Sequence, residues 1–279
     1  MKLAVASIPP YLMAGVRFML AGGAMYLWSR WRGNPPPTRA HWKSAALVGA
    51  LLMLFGNGNV AWAQQRLPTG ITAILVASAA IWIVLLDWWR PGGQRPSAMV
   101  FAGMGLGTVG IAILVSSRTP GARLDAIAVM VLLISAASWA AGSIVSRQAA
   151  APKSWVQSTG MQMLCGGTML FIAAVLTGQT RDFSIHQVTT RSLIGFAYLV
   201  VGGSIIGFTA YMWLLSRVSA AKAATYAYVN PVVAMILGVA FLGERLTARA
   251  LVASALSLGG VGLITLARSS SEAEPPEVA

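Results

Sequence analysis

The chain has 279 residues, of which 57 % are hydrophobic and only 10 % charged, against about 25 % charged in soluble domains; an ordinary soluble core is excluded. The net charge of +13 does not mark a nucleic-acid binder, because the basic residues are scattered through short loops between apolar runs and form no basic helix face with interleaved aromatics. Cys165 stands alone in an apolar run, which excludes a disulfide framework.

A helix needs about 20 apolar residues to cross the hydrocarbon core. The pattern predicts nine such runs, at about 10–29, 44–64, 68–89, 97–116, 124–147, 155–177, 191–215, 220–242 and 247–267. The first two are separated by a loop that contains Pro35-Pro36-Pro37 and Arg30, Arg32, Arg39 and Lys43; prolines and charges stop a helix on either side. After the ninth run, Ser269 to Ala279 holds Glu272, Glu274 and Glu277 and little that is apolar, so residues 269–279 are expected to be a disordered tail.

The chain repeats itself at long range. Gly15-Val16-Arg17-Phe18-Met19 aligns with Gly160-Met161-Gln162-Met163-Leu164 at an offset of 145. Trp62-Ala63-Gln64-Gln65-Arg66-Leu67 aligns with Trp213-Leu214-Leu215-Ser216-Arg217-Val218 at 151, and Gly107 to Leu114 with Gly259 to Leu266 at 152. The order is kept, so residues 1–118 form a first repeat and 119–268 a second. Carrying the offset back, Arg147 at the end of the fifth run falls on Lys2, and the first-half partner of that run falls upstream of Met1. The expectation is therefore an all-α membrane protein with an inverted repeat of five plus five transmembrane helices, lacking the first and leaving nine. An odd number of helices per half inverts the second copy and puts a substrate site where the halves meet.

Basic residues orient the chain. The loops after the first, third, fifth and seventh runs, with the tail, hold eleven Lys and Arg; the opposite side holds eight. The bias predicts a multi-pass protein of the inner (plasma) membrane with a cytoplasmic C-terminus.

Several strings carry a family resemblance. They are Pro10 with Met13-Ala14-Gly15-Val16-Arg17-Phe18; Asn57-Gly58 followed by Trp62 to Gly70; and Ser219-Ala220-Ala221-Lys222-Ala223-Ala224, Asn230-Pro231 and Leu242-Gly243-Glu244-Arg245-Leu246-Thr247. In this order and spacing the chain resembles the EamA-type members of the drug/metabolite transporter superfamily, especially the amino-acid and metabolite exporters. The resemblance implies ten helices, an inverted repeat and export of small metabolites, amino acids among the commonest. It departs at the missing first helix, which helps line the family's cavity, and at Ala80, where the repeat partner of Pro231 is usually a proline.

A transport site needs polar groups inside the membrane facing a cavity. The candidate substrate-binding residues are Asn57, Asn59, Trp62, Thr72, Ser78, Trp82, Trp139, Ser143, Tyr211, Tyr226, Tyr228 and Asn230. Ser135, Trp139 and Ser143 share one helix face at spacings of four, and Tyr226 and Asn230 lie one turn apart beside Pro231. That proline leaves the carbonyl of Ala227 without its helical partner. Arg17 is the one charge well inside a run, and snorkelling or a structural bond to a neighbouring helix accounts for it better than substrate binding does.

No Asp or Glu lies deep in a run, so gradient-driven export of a neutral or zwitterionic substrate is expected. His41 and His186 sit in loops far apart, and HExxH, paired membrane aspartates and GxSxG are lacking; neither an enzyme nor a cofactor or metal is implied. The expected partners are a small-molecule substrate and the lipid bilayer. A lipid-head-group flippase of the same superfamily is the competing reading.

Overall fold

The structure, a computed structural model, describes residues 4–67, 72, 75–89, 95–116, 125–181, 183–218, 220–226, 229 and 248–273. Among them the helices are α1 (Pro10–Trp31), α2 (Arg39–Ala63), α3 (Ala79–Trp89), α4 (Ala98–Ser116), α5 (Ala126–Gln148), α6 (Trp155–Leu176), α7 (Thr190–Arg217), the short α8 (Ala220–Ala224) and α9 (Ala248–Ala273). No strand occurs among the described residues. Four helices, α2, α5, α6 and α7, are long and apolar enough to cross a membrane, and shorter apolar helices span Leu75–Trp89, Ala98–Gly110 and Leu251–Ile264. α9 runs on to Ala273, beyond Ser269 where the disordered tail was expected to begin.

Local chemistry sets the helix ends. Pro10 opens α1 at the first helical position, where its missing N–H leaves nothing unbonded. Thr38 and His41 form a reciprocal capping box at the start of α2. The carboxylate of Asp125 accepts from the Ile127 and Ala128 amides at α5, and Ser154 and Thr189 cap α6 and α7. Gly33 and Gly178 follow α1 and α6 at φ +82° and +75°, the left-handed conformation that a glycine closing a helix adopts without a steric penalty.

These ends obey the sequence repeat. The offset of 145 carries Pro10 to Trp155, Trp31 to Leu176 and Gly33 to Gly178, so α1 and α6 begin, end and terminate alike. The offset of 151 carries Arg39 to Thr190, the first residues of α2 and α7.

The chain forms two compact units, and each takes a stretch from both sequence repeats: residues 1–69 with 124–217, and 70–123 with 218–279. In the first unit α1 and α6 make the most extensive pairing. They run antiparallel, with Gly15 against Gly167 and Gly22 against Gly160. Since 145 relates Gly15 to Gly160 and Gly22 to Gly167, each glycine faces the repeat partner of the other. A Cβ on Gly15 would lie 2.8 Å from the Phe171 backbone nitrogen, and one on Gly22 would lie 2.7 Å from the Gly160 carbonyl oxygen. The second unit is built on α4 and α9, also a repeat-related pair, with Gly103 and Gly107 against Gly260 and with Gly110 against Ala253 and Ser257.

The adjacent glycines of α1 allow a direct check. Beside Gly23 the nearest atom to an added Cβ is a Leu164 methyl at 3.8 Å, an ordinary contact. Gly22→Ala should destabilise by about 1–3 kcal/mol through overpacking. Gly23→Ala should stabilise by up to about 1 kcal/mol, since alanine is the better helix former. Melting of the purified protein in detergent reads both, and equal shifts would show that the close crossing does not hold the two helices.

Candidate substrate site

Two stretches of backbone set the site, and neither is ordinary α-helix. Ala50–Gly58 within α2 and Leu199–Phe208 within α7 are π-helical. The offset of 151 carries the first onto 201–209, almost onto the second. π-Helix is rare, well under about 1 % of residues, and appears mostly as short bulges, often at functional sites. Neighbouring side chains engage its carbonyls. The Ser135 and Ser138 hydroxyls of α5 donate to the carbonyls of Gly56 (2.8 Å) and Leu51 (2.9 Å). The Asn57 amide donates to the Leu52 carbonyl at 3.3 Å.

The π stretch of α2 makes room for an aromatic cluster. A Cβ on Gly56 would lie 3.1 Å from the Trp139 ring, so the glycine lets α5 bring that ring close. The indole N–H of Trp139 donates to the Tyr211 hydroxyl oxygen at 3.2 Å. Tyr211 Oη and Ser143 Oγ are 2.6 Å apart, and Ser143 Oγ donates to the Trp139 carbonyl at 2.7 Å. One proton order satisfies all three: Trp139 to Tyr211, Tyr211 to Ser143, and Ser143 back to Trp139. Such a closed ring polarises each of its bonds in a buried setting; Ser143 is 0 % and Tyr211 7 % exposed. Trp139 and Tyr211 stand 5.5 Å apart between ring centres, and Phe208 meets Trp139 edge-on at 6.2 Å. With their polar atoms bonded to one another, these groups form a satisfied and largely buried cluster in which Trp139 is half-buried.

Arg17 marks a second contact with the π stretch of α7. Its Nε donates to the Ser204 hydroxyl at 2.6 Å, and its guanidinium lies close to Gly203. The residue is 5 % exposed, so it does not snorkel to the surface; its Nη1 is buried without a partner.

The other sequence candidates are dispersed. Asn57 is committed to its own helix as described. Asn59 is half-buried in the last turns of α2. Trp62 lies under the Arg66 guanidinium at 4.1 Å, and Arg66 pairs with Asp125 at 3.5 Å. In the second unit Thr72 is buried and Trp82 and Tyr226 are half-buried. The Ser78 hydroxyl donates to the Leu75 carbonyl at 2.6 Å, at a turn that breaks the helix just before Ala79. Tyr228, Asn230 and Pro231 lie outside the described residues. Trp139, Ser143 and Tyr211 are thus the candidates brought into mutual contact. Phe208 was not singled out from the sequence, where nothing sets it apart from other apolar residues.

Repeat-related apolar helices, crossing at glycines and carrying buried polar clusters, define a multi-pass helical membrane protein. Comparison narrows the class. The model of the EamA-like transporter family matches residues 1–116 and 126–266, and the chain belongs to that family. It is 35 % identical to the uncharacterized inner membrane transporter YedA of Escherichia coli, over 98 % of this chain and 87 % of that protein. It is 23 % identical to a probable amino-acid metabolite efflux pump of the same organism, over 93 % and 87 %. A crystal structure that is 18 % identical superposes with a TM-score of 0.76, covering 97 % of this chain and 92 % of that one, and shows the shared fold.

The Arg17–Ser204 bond should behave as a coupled pair. Ser204→Ala leaves a buried guanidinium short of its acceptor and should cost about 1.5–3 kcal/mol. Adding Arg17→Met removes the stranded charge and should recover most of that loss. Chemical unfolding of the two single variants and the double variant closes the cycle; strictly additive losses would mean that the two side chains do not interact.

Proposed function

We propose that this transporter exports small metabolites, amino acids first among them, by alternating access across the inner membrane. Its frame is five plus five inverted helices with a cytoplasmic C-terminus. The observation that carries the reading is the antiparallel crossing of α1 and α6 at glycines that exchange under the repeat offset. Such a crossing is a pseudo-two-fold contact, the geometry from which inverted-repeat transporters rock around a central site. The amino-acid substrate class is supported by the probable amino-acid metabolite efflux pump to which the chain is similar. The aromatic cluster of Trp139, Phe208 and Tyr211 supports it too, because it is a polar but uncharged group held on two membrane helices.

The substrate path in this proposal is lined by Trp139, Ser143 and Tyr211. Transport follows the substrate gradient, because the acidic residues among those described sit at helix ends: Asp87 near the end of α3, Asp125 at the cap of α5 and Glu272 at the end of α9.

Proteoliposomes test both parts. Counterflow of labelled amino acids should proceed without a pH gradient, and a protonophore should leave the initial rate unchanged. Tyr211→Phe keeps the ring but opens the hydrogen-bonded loop through Trp139 and Ser143. It should lower the transport rate by about tenfold, the equivalent of roughly 1.4 kcal/mol. Movement of labelled lipid in place of amino acids would replace the export reading with a flippase, and proton movement in fixed stoichiometry with substrate would overturn gradient-driven transport.

A further inference from the structure

A pocket of about 490 Å³ opens at one end of the first unit, where α5 and α7 finish and α6 begins. Its volume lies in the usual range for small-molecule sites. Three cations line it: Arg147 at the end of α5, Lys153 before α6 and Arg217 at the end of α7. Among the described residues no acidic side chain is in the lining. Trp155, Ser158 and Gln162 extend along one face of α6, from its first residue inward by about 10 Å at 1.5 Å per residue. The lining hydroxyls of Ser146, Thr159 and Ser216 donate to carbonyls of their own helices at 2.9, 2.8 and 2.6 Å. The donors left for a ligand are the cationic heads, the Ser158 hydroxyl and the Trp155 indole N–H.

At the inner end the chemistry reverses. Gln162 is 4 % exposed. Its Nε2 donates to Ser158 Oγ at 3.4 Å, and its Oε1 is buried with no partner. An orphaned buried acceptor calls for a donor. The pocket therefore asks for a ligand with an anionic group for its mouth and an N–H for its floor. An α-amino acid carries both, in a carboxylate and an ammonium.

We propose that this pocket is a docking site for amino acids on the cytoplasmic side, with Arg147, Lys153 and Arg217 holding the carboxylate and Gln162 Oε1 receiving the ammonium. The inference rests on the export reading, and it adds the site at which substrate is first recognised. Charge and amide do separate work in it. The cations gather carboxylates of any kind, and Gln162 selects those that also bear an amine.

The test uses the full chain in phosphatidylcholine nanodiscs. Proteinogenic amino acids are screened by thermal shift, and the strongest is then compared with its deaminated acid and its carboxamide. Both analogues should bind about tenfold more weakly. Gln162→Met should abolish the discrimination against the deaminated acid while leaving that acid's own affinity unchanged. Arg147→Gln and Arg217→Gln, both at exposed positions, should weaken the amino acid about tenfold and flatten its salt dependence. Transport of the same amino acid by the same variants separates the two claims. Normal transport KM together with unchanged analogue discrimination in all three variants overturns the docking site and leaves export standing. Binding with this signature but without transport overturns export and leaves the site standing. No response to any amino acid, with no transport, overturns both. Stabilisation by added phosphatidylglycerol that Arg147→Gln removes, with no response to amino acids, gives the pocket to a lipid head group and overturns the inference.

Discussion

Close backbone approach at glycine is the constraint on which the rest of this structure depends. Lipid tails are as apolar as leucine, so burying an apolar side chain between two helices gains little there; association must come from tight packing. α1 and α6 meet it with Gly15, Gly22, Gly160 and Gly167, spaced by two helical turns in each helix. The second unit meets it with Gly103, Gly107, Gly110 and Gly260. Because the paired helices are repeat partners, one glycine spacing written twice makes both halves of the α1–α6 contact. A side chain at any of these positions would push the helices apart and loosen whatever they carry.

What they carry is irregular backbone. A π stretch inside a membrane helix is tolerated only where protein or cavity water satisfies the groups it frees. In α2 the partners come from the serines of α5, and in α7 the Arg17 guanidinium lies beside Gly203 and bonds Ser204. The dependence then runs forward to the site. Gly56, inside the first π stretch, admits the Trp139 ring, and Tyr211, one turn beyond the second, fixes its indole N–H. The aromatic cluster is therefore placed by two repeat-related distortions and would not survive regular helix in either.

The legible and illegible parts of this molecule divide along physical lines. Several helix positions among the described residues were readable, because apolar runs bounded by prolines, glycines and caps leave little choice; the expected run at 155–177 and α6 at Trp155–Leu176 differ by one residue, whereas most of the expected run at 220–242 lies outside the described residues. Membership of the EamA-like transporter family was readable too, from short strings that stand in the family's order and spacing. The π stretches were not. A run such as Ala50-Leu51-Leu52-Met53-Leu54-Phe55 is apolar on every side, so its period carries no record of how tightly the helix is wound. The meeting of Tyr211 with Trp139 and Ser143 was also hidden, since it joins α5 to α7 across about 70 residues of chain and no local pattern relates the two helices. Asn57 was read as a substrate ligand, but its amide serves a carbonyl that a regular helix would have bonded internally. The basic residues near Trp155 were read only as orienting the chain, which their loop positions explain, and the pocket behind them depends on three helix ends that no local pattern relates.

Duplication makes the remaining asymmetry informative. Arg17 and Gln162 occupy the same place in the two copies, and each is buried with one polar atom unpartnered. Their surroundings differ. Arg17 reaches Ser204 on the second π stretch, whereas the repeat partner of Ser204 is Met53, which packs against Gly166 and offers no comparable hydroxyl. The charged member is thus tied into the fold, and the neutral member faces a pocket. A buried arginine with so few acceptors is stable only while its one strong bond is kept, so α1 and α7 are held together at that point. A buried glutamine carries no such charge, and its side can open without stranding one. The two halves share a backbone plan, and this exchange of charge for amide gives the two positions different surroundings: Arg17 bonds Ser204, and Gln162 lines the pocket.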